Sequence, residues 1–330
     1  MINDILYFVI GLAALVGGGE LLVRSASRLA AAAGISSLVI GLTVVSLGTS
    51  APELAVGAAG ALGGKVDAGL GNIIGSNVFN ILLVLGIVAF FASPAISRRS
   101  LRFDIPFMIL SALATLLLAA DHRISRIEAG LFFAAAVFYI LANFYWANRE
   151  SRFSDAAKGA AHSIPISHKR PKIPVEVGLL ILGVFALGIG AHWVLSGATG
   201  FARSVGLSEL AIGLTLIALG TSVPELVTSL VAIRRGEKDM AIGNIVGSCI
   251  FNLLIVMPVM AAFSGDGLHV APEAASFDIP VMVASAIATV PLALSGYRVS
   301  RAEGVGLVLA YFGYIVALAV KSHVTEAAIR

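Results

Sequence analysis

Long apolar runs separated by short polar segments dominate the pattern of this chain. A helix that spans a bilayer needs roughly 20 apolar residues, and ten runs approach or exceed that length. They cover residues 5–23, 37–62, 69–92, 103–120, 127–147, 175–199, 207–233, 240–263, 277–296 and 303–320. The pattern therefore predicts an all-α polytopic membrane protein whose ten transmembrane helices lie in a lipid bilayer.

The composition agrees with this prediction. Of the 330 residues, 58% are hydrophobic and only 12% are charged, against about 25% charged in a typical soluble domain, and the mean hydropathy is +0.97. The first run lacks a basic lead and a clear small-residue cleavage site, so we interpret it as the first spanning helix rather than a removed signal. The single cysteine, Cys249, excludes an internal disulfide and a cage of thiolate metal ligands.

Two motifs recur at an offset of 172 residues. The segment GLTVVSLGTSAPEL at 41–54 matches GLTLIALGTSVPEL at 213–226 in 10 of 14 positions. The segment GNIIGSNVFNILL at 71–83 matches GNIVGSCIFNLLI at 243–255 in 8 of 13 positions. Weaker echoes follow, FDIP and R-x-S-R-x-E, once in each half. The chain is therefore predicted to consist of two homologous halves.

These halves are two five-helix repeats, 1–147 and 175–330, joined by a basic linker at 148–174. Because five is odd, the two repeats must lie upside down relative to each other in the membrane. Inverted repeats with interrupted helices in corresponding positions are typical of secondary transporters, whose binding site lies near the bilayer midplane. Duplication alone does not establish transport, but the interrupted second and seventh helices favour it.

Positive charges divide unequally between alternate loops. The loops after helices 1, 3, 5, 7 and 9 hold 16 of the 22 Lys and Arg residues, and the other side holds 6. Because cytoplasmic loops carry the excess of these residues, we expect both termini outside the cytoplasm and a cytoplasmic linker, in the cell (inner) membrane. We interpret the linker as a solvated, topology-setting segment; a lipid-headgroup or regulatory role is the alternative.

A proline followed by a glutamate interrupts the second and the seventh run. Proline has no N–H and clashes with the carbonyl four residues back, so helices 2 and 7 should be broken, and the freed carbonyls need other partners at membrane depth. Each break combines helix-breaking residues, hydroxyls and a carboxylate. The residues are Gly48, Thr49, Ser50, Pro52 and Glu53 in the first half, and Gly220, Thr221, Ser222, Pro224 and Glu225 in the second.

Two interpretations of this motif are compatible. Carbonyl, hydroxyl and carboxylate groups are hard oxygen donors, which suit calcium and sodium. Ser50 and Glu53, like Ser222 and Glu225, also fit the S-x-x-E capping box that starts a helix. A buried glutamate at membrane depth is costly and functional by default, and two in symmetric positions favour a cation site.

The second motif places a polar stripe on helix 3 and another on helix 8. Its residues recur every four positions, so they share one helix face, and a G-x-x-x-G pair in each motif permits close helix approach. The stripes are Asn72, Ser76 and Asn80, and Asn244, Ser248 and Asn252. Asn72 and Asn244 are candidates equally for interhelical hydrogen bonds and for ion binding, whereas the deeper four residues are the better ligand candidates.

The paired G-T-S-x-P-E-L and G-N-x-x-G-S-x-x-x-N segments resemble the two α-repeats of the sodium/calcium exchanger family, within the cation/calcium antiporter superfamily. The resemblance covers essentially the whole chain and is to the prokaryotic type, with its short central loop. It implies an antiporter that extrudes calcium against inward sodium, with these ions as transported substrates and no cofactor.

By motif position, the resemblance makes Glu53 and Glu225 the central acidic ligands for both ions. Backbone and hydroxyl oxygens would come from Thr49, Ser50, Thr221 and Ser222, and further ligands from Ser76, Asn80, Ser248 and Asn252. Carbonyls near Ser46 and Ala218 would help to hold sodium.

Two departures leave the coupling ions open. Some relatives carry aspartate where this chain has Asn80 or Asn252, so a calcium/proton antiporter and a potassium-dependent exchanger of the same fold stay as alternatives. Cys249 stands where the first half has Asn77, off the polar stripe, and we interpret it as a packing residue. From other classes, a passive cation channel is an alternative. An enzyme is disfavoured because neither H-E-x-x-H nor G-x-S-x-G occurs. No nucleic-acid partner is expected, and the protein is expected to work as a monomer.

Helices 1 and 6 are glycine-rich, with LVGGGELLV at 15–23 and LGIGAHWVL at 187–195. In relatives these helices slide across a four-helix core to switch access, and the glycines would permit close contact. Glu20 and His192 occupy equivalent positions, and proton sensing by these residues is a hypothesis.

Overall fold

The computed structural model describes residues 2–158, 172–204 and 220–329. The central linker and the first part of the seventh apolar run are therefore largely outside the described residues. Ala218, expected to offer a carbonyl to sodium, also lies outside them.

The first half is a series of helices interrupted by short π-helical turns. In chain order it contains α1 (Ile2–Ala33), α2 (Ser37–Ile40), a π-turn at Gly41–Val45, α3 (Ser46–Thr49), α4 (Ala51–Leu62), α5 (Val66–Val78), a π-turn at Phe79–Val84, α6 (Leu85–Ala92), a π-turn at Ser100–Asp104, α7 (Ile105–Leu118), a 3-10 turn at Ala119–Asp121, the short strand β1 (Arg123–Ile124) and α8 (Arg126–Lys158).

The second half repeats this order where it is described. It contains α9 (Ile173–Ser204), α10 (Val223–Arg234), α11 (Lys238–Phe251), a π-turn at Asn252–Val256, α12 (Met257–Phe263), β2 (Leu268–His269), a π-turn at Ala274–Asp278, α13 (Ile279–Leu294) and α14 (Arg301–Ile329).

The described ranges contain eight helical segments that are long and apolar enough to cross a bilayer, and a bent pair makes a ninth candidate. That pair joins Ser37–Thr49 to Ala51–Leu62 at an angle of 43°. The bend falls where predicted, because Pro52 has no N–H to offer the carbonyl of Gly48 and Ser50 leaves the helical conformation with φ −81° and ψ 5°. The prediction of a mainly helical, multi-pass membrane protein is confirmed.

Two helical segments form the centre of the protein. The segment Val66–Ala92, which contains α5 and α6, is 78% buried over its most apolar window, and Lys238–Phe263, which contains α11 and α12, is 83% buried. The other unbroken spans are 17–39% buried, and their exposed apolar side chains are those expected to face lipid. The two segments that carry the polar stripes are therefore the ones shielded from the bilayer.

The predicted alternation of loops agrees with the contacts at the two ends of the molecule. At one end the Lys238 ammonium lies 3.4 Å from the Ala92 carbonyl, and the Ile96 N–H donates to the Tyr297 carbonyl at 2.7 Å. At the other end β1 pairs antiparallel with β2. The basic loops at 92–102, 234–238 and 297–301 therefore share one end.

Glycines bring α1 and α9 into close contact. A Cβ added to Gly18 would lie 2.8 Å from the Leu187 nitrogen, and one added to Gly190 would lie 2.7 Å from the Leu15 nitrogen. The predicted close approach of these helices is therefore present. Glu20 forms ion pairs with Arg234, at 3.3 Å, and with Arg235.

Candidate cation site

Each proline–glutamate motif places a carboxylate in the first turn of a helix. Glu53 lies in the first turn of α4 and Glu225 in the first turn of α10, and each follows a proline. Both side chains are fully buried. The first backbone N–H groups of a helix have no intrahelical partner and carry partial positive charge, so a carboxylate is electrostatically favoured there.

The capping-box interpretation of the serines is wrong. Neither Ser50 nor Ser222 makes a side-chain cap to its own helix. Ser50 Oγ instead donates to Glu225 Oε1 at 3.3 Å, and Ser222 Oγ lies 3.0 Å from Glu53 Oε1. The serine of each motif therefore contacts the carboxylate of the other motif, so the first turns of α4 and α10 lie close together.

Helix α5 adds a hydroxyl to the first carboxylate. Ser76 Oγ donates to Glu53 Oε1 at 3.3 Å, and its oxygen lies 2.7 Å from Ser222 Oγ. The three side chains come from α5, α4 and the residue before α10, and all are buried. Three elements that are distant in sequence therefore meet at one carboxylate oxygen.

The threonines of the breaks bond the first asparagine of each stripe. Thr49 Oγ1 donates to Asn244 Oδ1 at 3.0 Å, and Thr221 Oγ1 donates to Asn72 Oδ1 at 2.9 Å. These hydrogen bonds engage the amide oxygen of each asparagine. The geometry therefore favours a role for Asn72 and Asn244 in hydrogen bonding between helices over a role in ion binding. Each threonine of one repeat is thereby linked to a stripe helix of the other.

The deeper asparagines are fully buried and incompletely bonded. Among the described residues, neither side-chain polar atom of Asn80 has a hydrogen-bond partner, and Asn252 Oδ1 also has none. Asn252 Nδ2 donates to Asn77 Oδ1 at 3.3 Å. π-helical turns begin at Phe79 and at Asn252, and such turns are frequent at functional sites.

Four buried oxygens from the four motif segments accept no hydrogen bond within the described part of the chain: Glu53 Oε2, Asn80 Oδ1, Glu225 Oε2 and Asn252 Oδ1. A buried oxygen without a partner costs free energy, and a bound cation would offset that cost. The same ranges contain no group of three or more His, Cys, Asp and Glu side chains suited to a metal. The chemistry is therefore that of two carboxylates completed by neutral oxygens, a donor set that fits calcium and sodium.

Among the described residues, the remaining ligand candidates Ser248 and Ser46 both lie next to Thr49. Ser248 Oγ is 3.4 Å from Thr49 Oγ1. The Ser46 carbonyl oxygen lies 3.3 Å from Thr49 Oγ1 and accepts from the Ser50 N–H at 3.0 Å. Its oxygen is therefore engaged with the residues of the break itself.

Sequence reasoning missed three polar residues near the site. Asn77 supports Asn252, as described above, and its own Nδ2 lies 3.4 Å from Met282 Sδ. Ser229 accepts from Asn244 Nδ2 at 3.1 Å, and Thr228 is buried with an unpaired hydroxyl among the described residues. The available signal was a polar side chain at an otherwise apolar position. Cys249 is buried with Sγ 3.9 Å from the Asn77 carbonyl, as a packing residue would be.

A bent helix pair at Pro52, crossed hydroxyl–carboxylate bonds and unpaired buried oxygens define an integral membrane protein with a central cluster of buried oxygen atoms. Its sequence matches the profile of the family described as "Sodium/calcium exchanger protein" over residues 3–145 and 175–320. The chain belongs to this family, whose members are transporters and not enzymes.

Individual relatives match along almost their whole length. CaxA of Alkalimonas amylolytica is 35% identical, with 95% of this chain and 98% of that protein covered. The sodium/calcium exchanger MaX1 of Methanosarcina acetivorans is 30% identical, with 96% and 98% covered. The solved structure of the sodium-calcium exchanger NCX_Mj soaked with sodium and strontium superposes with a TM-score of 0.79 at 27% identity, covering 96% of this chain and 98% of that chain.

Proposed function

We propose that this protein exchanges sodium for calcium by alternating access, with the sodium gradient driving calcium extrusion. One observation carries the proposal: four unpaired buried oxygens, two of them on carboxylates, come from the four repeated motif segments. Membership of the exchanger family supports the same function.

In this proposal Glu53 and Glu225 are the acidic ligands of both ions. The break residues Thr49, Ser50, Thr221 and Ser222 and the stripe residues Ser76, Asn80, Ser248 and Asn252 complete the site, with carbonyls near Ser46 and Ala218 contributing to sodium binding. Asn72 and Asn244 hold the threonines in place. Calcium and sodium are substrates, and no resident cofactor is part of the proposal.

The charge of the site limits the coupling. Two carboxylates neutralise one calcium ion or two sodium ions, because Asn80 and Asn252 contribute neutral oxygens. A third sodium ion would leave one uncompensated positive charge in a region of low dielectric. Exchange of more than two sodium ions per calcium ion therefore moves net charge, and its rate should respond to membrane potential.

We also propose the full architecture of ten helices in two inverted repeats, 1–147 and 175–330, in a chain that works as a monomer. A repeated contact supports it: Tyr139 donates to Asp104 Oδ1 at 3.0 Å, and Tyr314 donates to Asp278 Oδ1 at 3.0 Å. Both aspartates belong to the recurring FDIP segment.

The decisive experiment is calcium-45 uptake into proteoliposomes under an imposed sodium gradient, with potassium and pH varied separately. Sodium-dependent uptake that needs neither a pH gradient nor potassium is the expected result. Uptake driven by a pH gradient alone would indicate calcium/proton exchange, and an absolute need for potassium would indicate a potassium-dependent exchanger. Conductance without coupling would indicate a channel.

The orientation is proposed from the charge distribution, with both termini outside the cytoplasm and the linker at 148–174 inside, in the cell inner membrane. A cysteine introduced by Ser163→Cys in a Cys249→Ser background should react with impermeant thiol reagents only from the cytoplasmic side. Labelling from outside in intact cells would overturn this orientation.

A further inference from the structure

Two equivalent grooves open on the surface, each between a helix of the first half and a helix of the second half. The first lies between α6 and α14, has a volume of about 230 Å³, and is lined by Ile87, Phe90, Phe91, Val305, Val308 and Leu309. The second lies between α8 and α12, has a volume of about 500 Å³, and is lined by apolar residues together with Arg126. Apart from Arg126, the side chains that line the two grooves are apolar.

Close helix packing forms the floor of the α6–α14 groove. A Cβ on Gly86 would lie 2.9 Å from the Gly304 carbonyl oxygen, and one on Gly304 would lie 2.6 Å from the Gly86 carbonyl oxygen. The larger side chains therefore flank this contact instead of filling it. Residues 87, 90 and 91 share one face of α6, and residues 301, 305, 308 and 309 share one face of α14.

Arg301 thus stands at the head of the stripe that lines the groove, one helical turn or about 6 Å from Val305. The preceding segment is tied to the end of α6, because the Val299 N–H donates to the Pro94 carbonyl at 3.2 Å and Ala95 pairs with Arg298. Arg298 and Arg301 are exposed. The guanidinium of Arg98 lies 5.6 Å from the centre of the Tyr297 ring in the same segment.

The side chains of these two arginines make no hydrogen bond or ion pair with the described residues. The carboxylate nearest in sequence is already engaged: Glu303 Oε2 accepts from the Ser300 N–H at 2.7 Å, and Glu303 Oε1 accepts from Ser295 Oγ at 2.7 Å. Two exposed positive charges therefore lie at the start of the helix that lines the apolar groove.

The equivalent arginines in the other half are used differently. Arg126 Nη2 donates to the Ser264 carbonyl at 3.1 Å, and Arg123 Nε donates to the Asp266 carbonyl at 3.0 Å. They tie the loop after α12 to the start of α8. The two grooves are thus matched in position and charge, but only the α6–α14 groove has arginines that are available to a ligand.

We propose that the α6–α14 groove binds one anionic phospholipid, with an acyl chain along the groove and the phosphate at Arg298 and Arg301. Arginine suits this ligand because its planar guanidinium bonds phosphate oxygens in a bidentate manner. Basic residues at the membrane surface favour anionic over zwitterionic lipids. The site is separate from the cation site and does not depend on transport.

The test is native mass spectrometry of the detergent-purified full chain incubated with dioleoyl phosphatidylglycerol or dioleoyl phosphatidylcholine. Wild-type protein should retain one phosphatidylglycerol in preference to phosphatidylcholine. The variant Arg298→Gln/Arg301→Gln should lose that preference by on the order of tenfold, and Arg298→Lys/Arg301→Lys should keep part of it.

The matched control is Arg123→Gln/Arg126→Gln, which removes the same charge from the other end and should keep the wild-type preference. Equal losses in the two glutamine variants, or no loss in Arg298→Gln/Arg301→Gln, would overturn the proposal. Thermal unfolding checks that each variant is folded.

Two further arms distinguish a lipid from a free phosphate. Val305→Trp fills the groove without changing charge and should also displace the phosphatidylglycerol. Inorganic phosphate and glycerophosphoglycerol, which carry no acyl chain, should not compete at millimolar concentration. Displacement by either, or full retention in Val305→Trp, would overturn the role of the groove.

Discussion

The half-site around Glu53 and the half-site around Glu225 share one motif but differ in their hydrogen bonds. Within the described ranges, two serine hydroxyls lie within 3.3 Å of Glu53 Oε1, whereas one serine hydroxyl, that of Ser50, lies 3.3 Å from Glu225 Oε1. Each carboxylate is contacted by the serine of the opposite repeat. The proposed site is therefore built from residues of both repeats.

The last asparagines of the two polar stripes, Asn80 and Asn252, also differ in their hydrogen bonds. Asn80 has no hydrogen-bond partner among the described residues, whereas Asn252 is held through its amide nitrogen by Asn77. The repeat equivalent of Asn77 is Cys249, which cannot hold Asn80 in the same way. A single difference between the repeats, asparagine against cysteine, therefore gives Asn252 a hydrogen-bond partner that Asn80 lacks among the described residues.

The largest effect is expected from substitutions that remove the charge of a buried carboxylate. Glu53→Gln and Glu225→Gln should each reduce sodium-driven calcium uptake by roughly a hundredfold or more, because a buried charge partner of the ion is lost. Both variants should stay folded, since neither carboxylate forms an ion pair with the described residues.

The matched control is Glu273→Gln, at an exposed position, which should transport like the wild type. Uptake is measured in proteoliposomes at equal protein density, with thermal unfolding as the folding check. Wild-type flux in either buried variant would remove that carboxylate from the proposed site.

The sequence was sufficient for the broken helix at Pro52 and for the segments that meet at the centre. Proline chemistry and an internal repeat act locally, so both can be recognised without coordinates. The partners of Ser50 and Ser222 could not be predicted, because the S-x-x-E spacing fits a local cap as well as a bond across the molecule. Only tertiary packing decides between those two outcomes.

Asn77 shows a second limit. It lies off the stripe of Asn72, Ser76 and Asn80 on an ideal α-helix, so periodicity assigned its position to packing. The π-turn that begins at Asn252 widens that helix locally, and the contact between Asn77 and Asn252 joins α5 to the end of α11. Helical periodicity could not anticipate a contact that depends on the relative placement of two helices.

The next effect concerns the asparagine that is already held in place. Asn252→Asp adds a third carboxylate to a buried site, and three neighbouring negative charges attract protons more strongly than two. Exchange should continue but should be more strongly inhibited by mild acid than in the wild type. Calcium uptake is measured as a function of pH, with and without potassium. A pH profile and ion dependence that overlay the wild type would show that residue 252 does not face the site.

A smaller effect tests the crossed serines. Ser222→Ala should lower uptake at limiting calcium by roughly tenfold, because hydrogen bonds to charged groups contribute about 1.5–3 kcal/mol. Ser50→Ala should have a smaller effect. Ser50 Oγ contacts Glu225, whereas Ser222 Oγ contacts both Glu53 and Ser76. The reverse order of the two effects would contradict the asymmetry between the half-sites.

The smallest effect is expected from a comparison of Asn77 with Cys249, which occupy equivalent positions in the two repeats. Asn77→Ala removes the side chain that bonds Asn252 at 3.3 Å, so Asn252 should lose its fixed orientation. Because a neutral hydrogen bond contributes about 1 kcal/mol, we expect roughly a fivefold increase in the KM for calcium with little change in kcat. Cys249→Ala, at the repeat-equivalent position, leaves that bond intact and should keep the wild-type KM. Equal shifts in both variants would mean that position 77 acts through packing and that Asn80 and Asn252 are held alike.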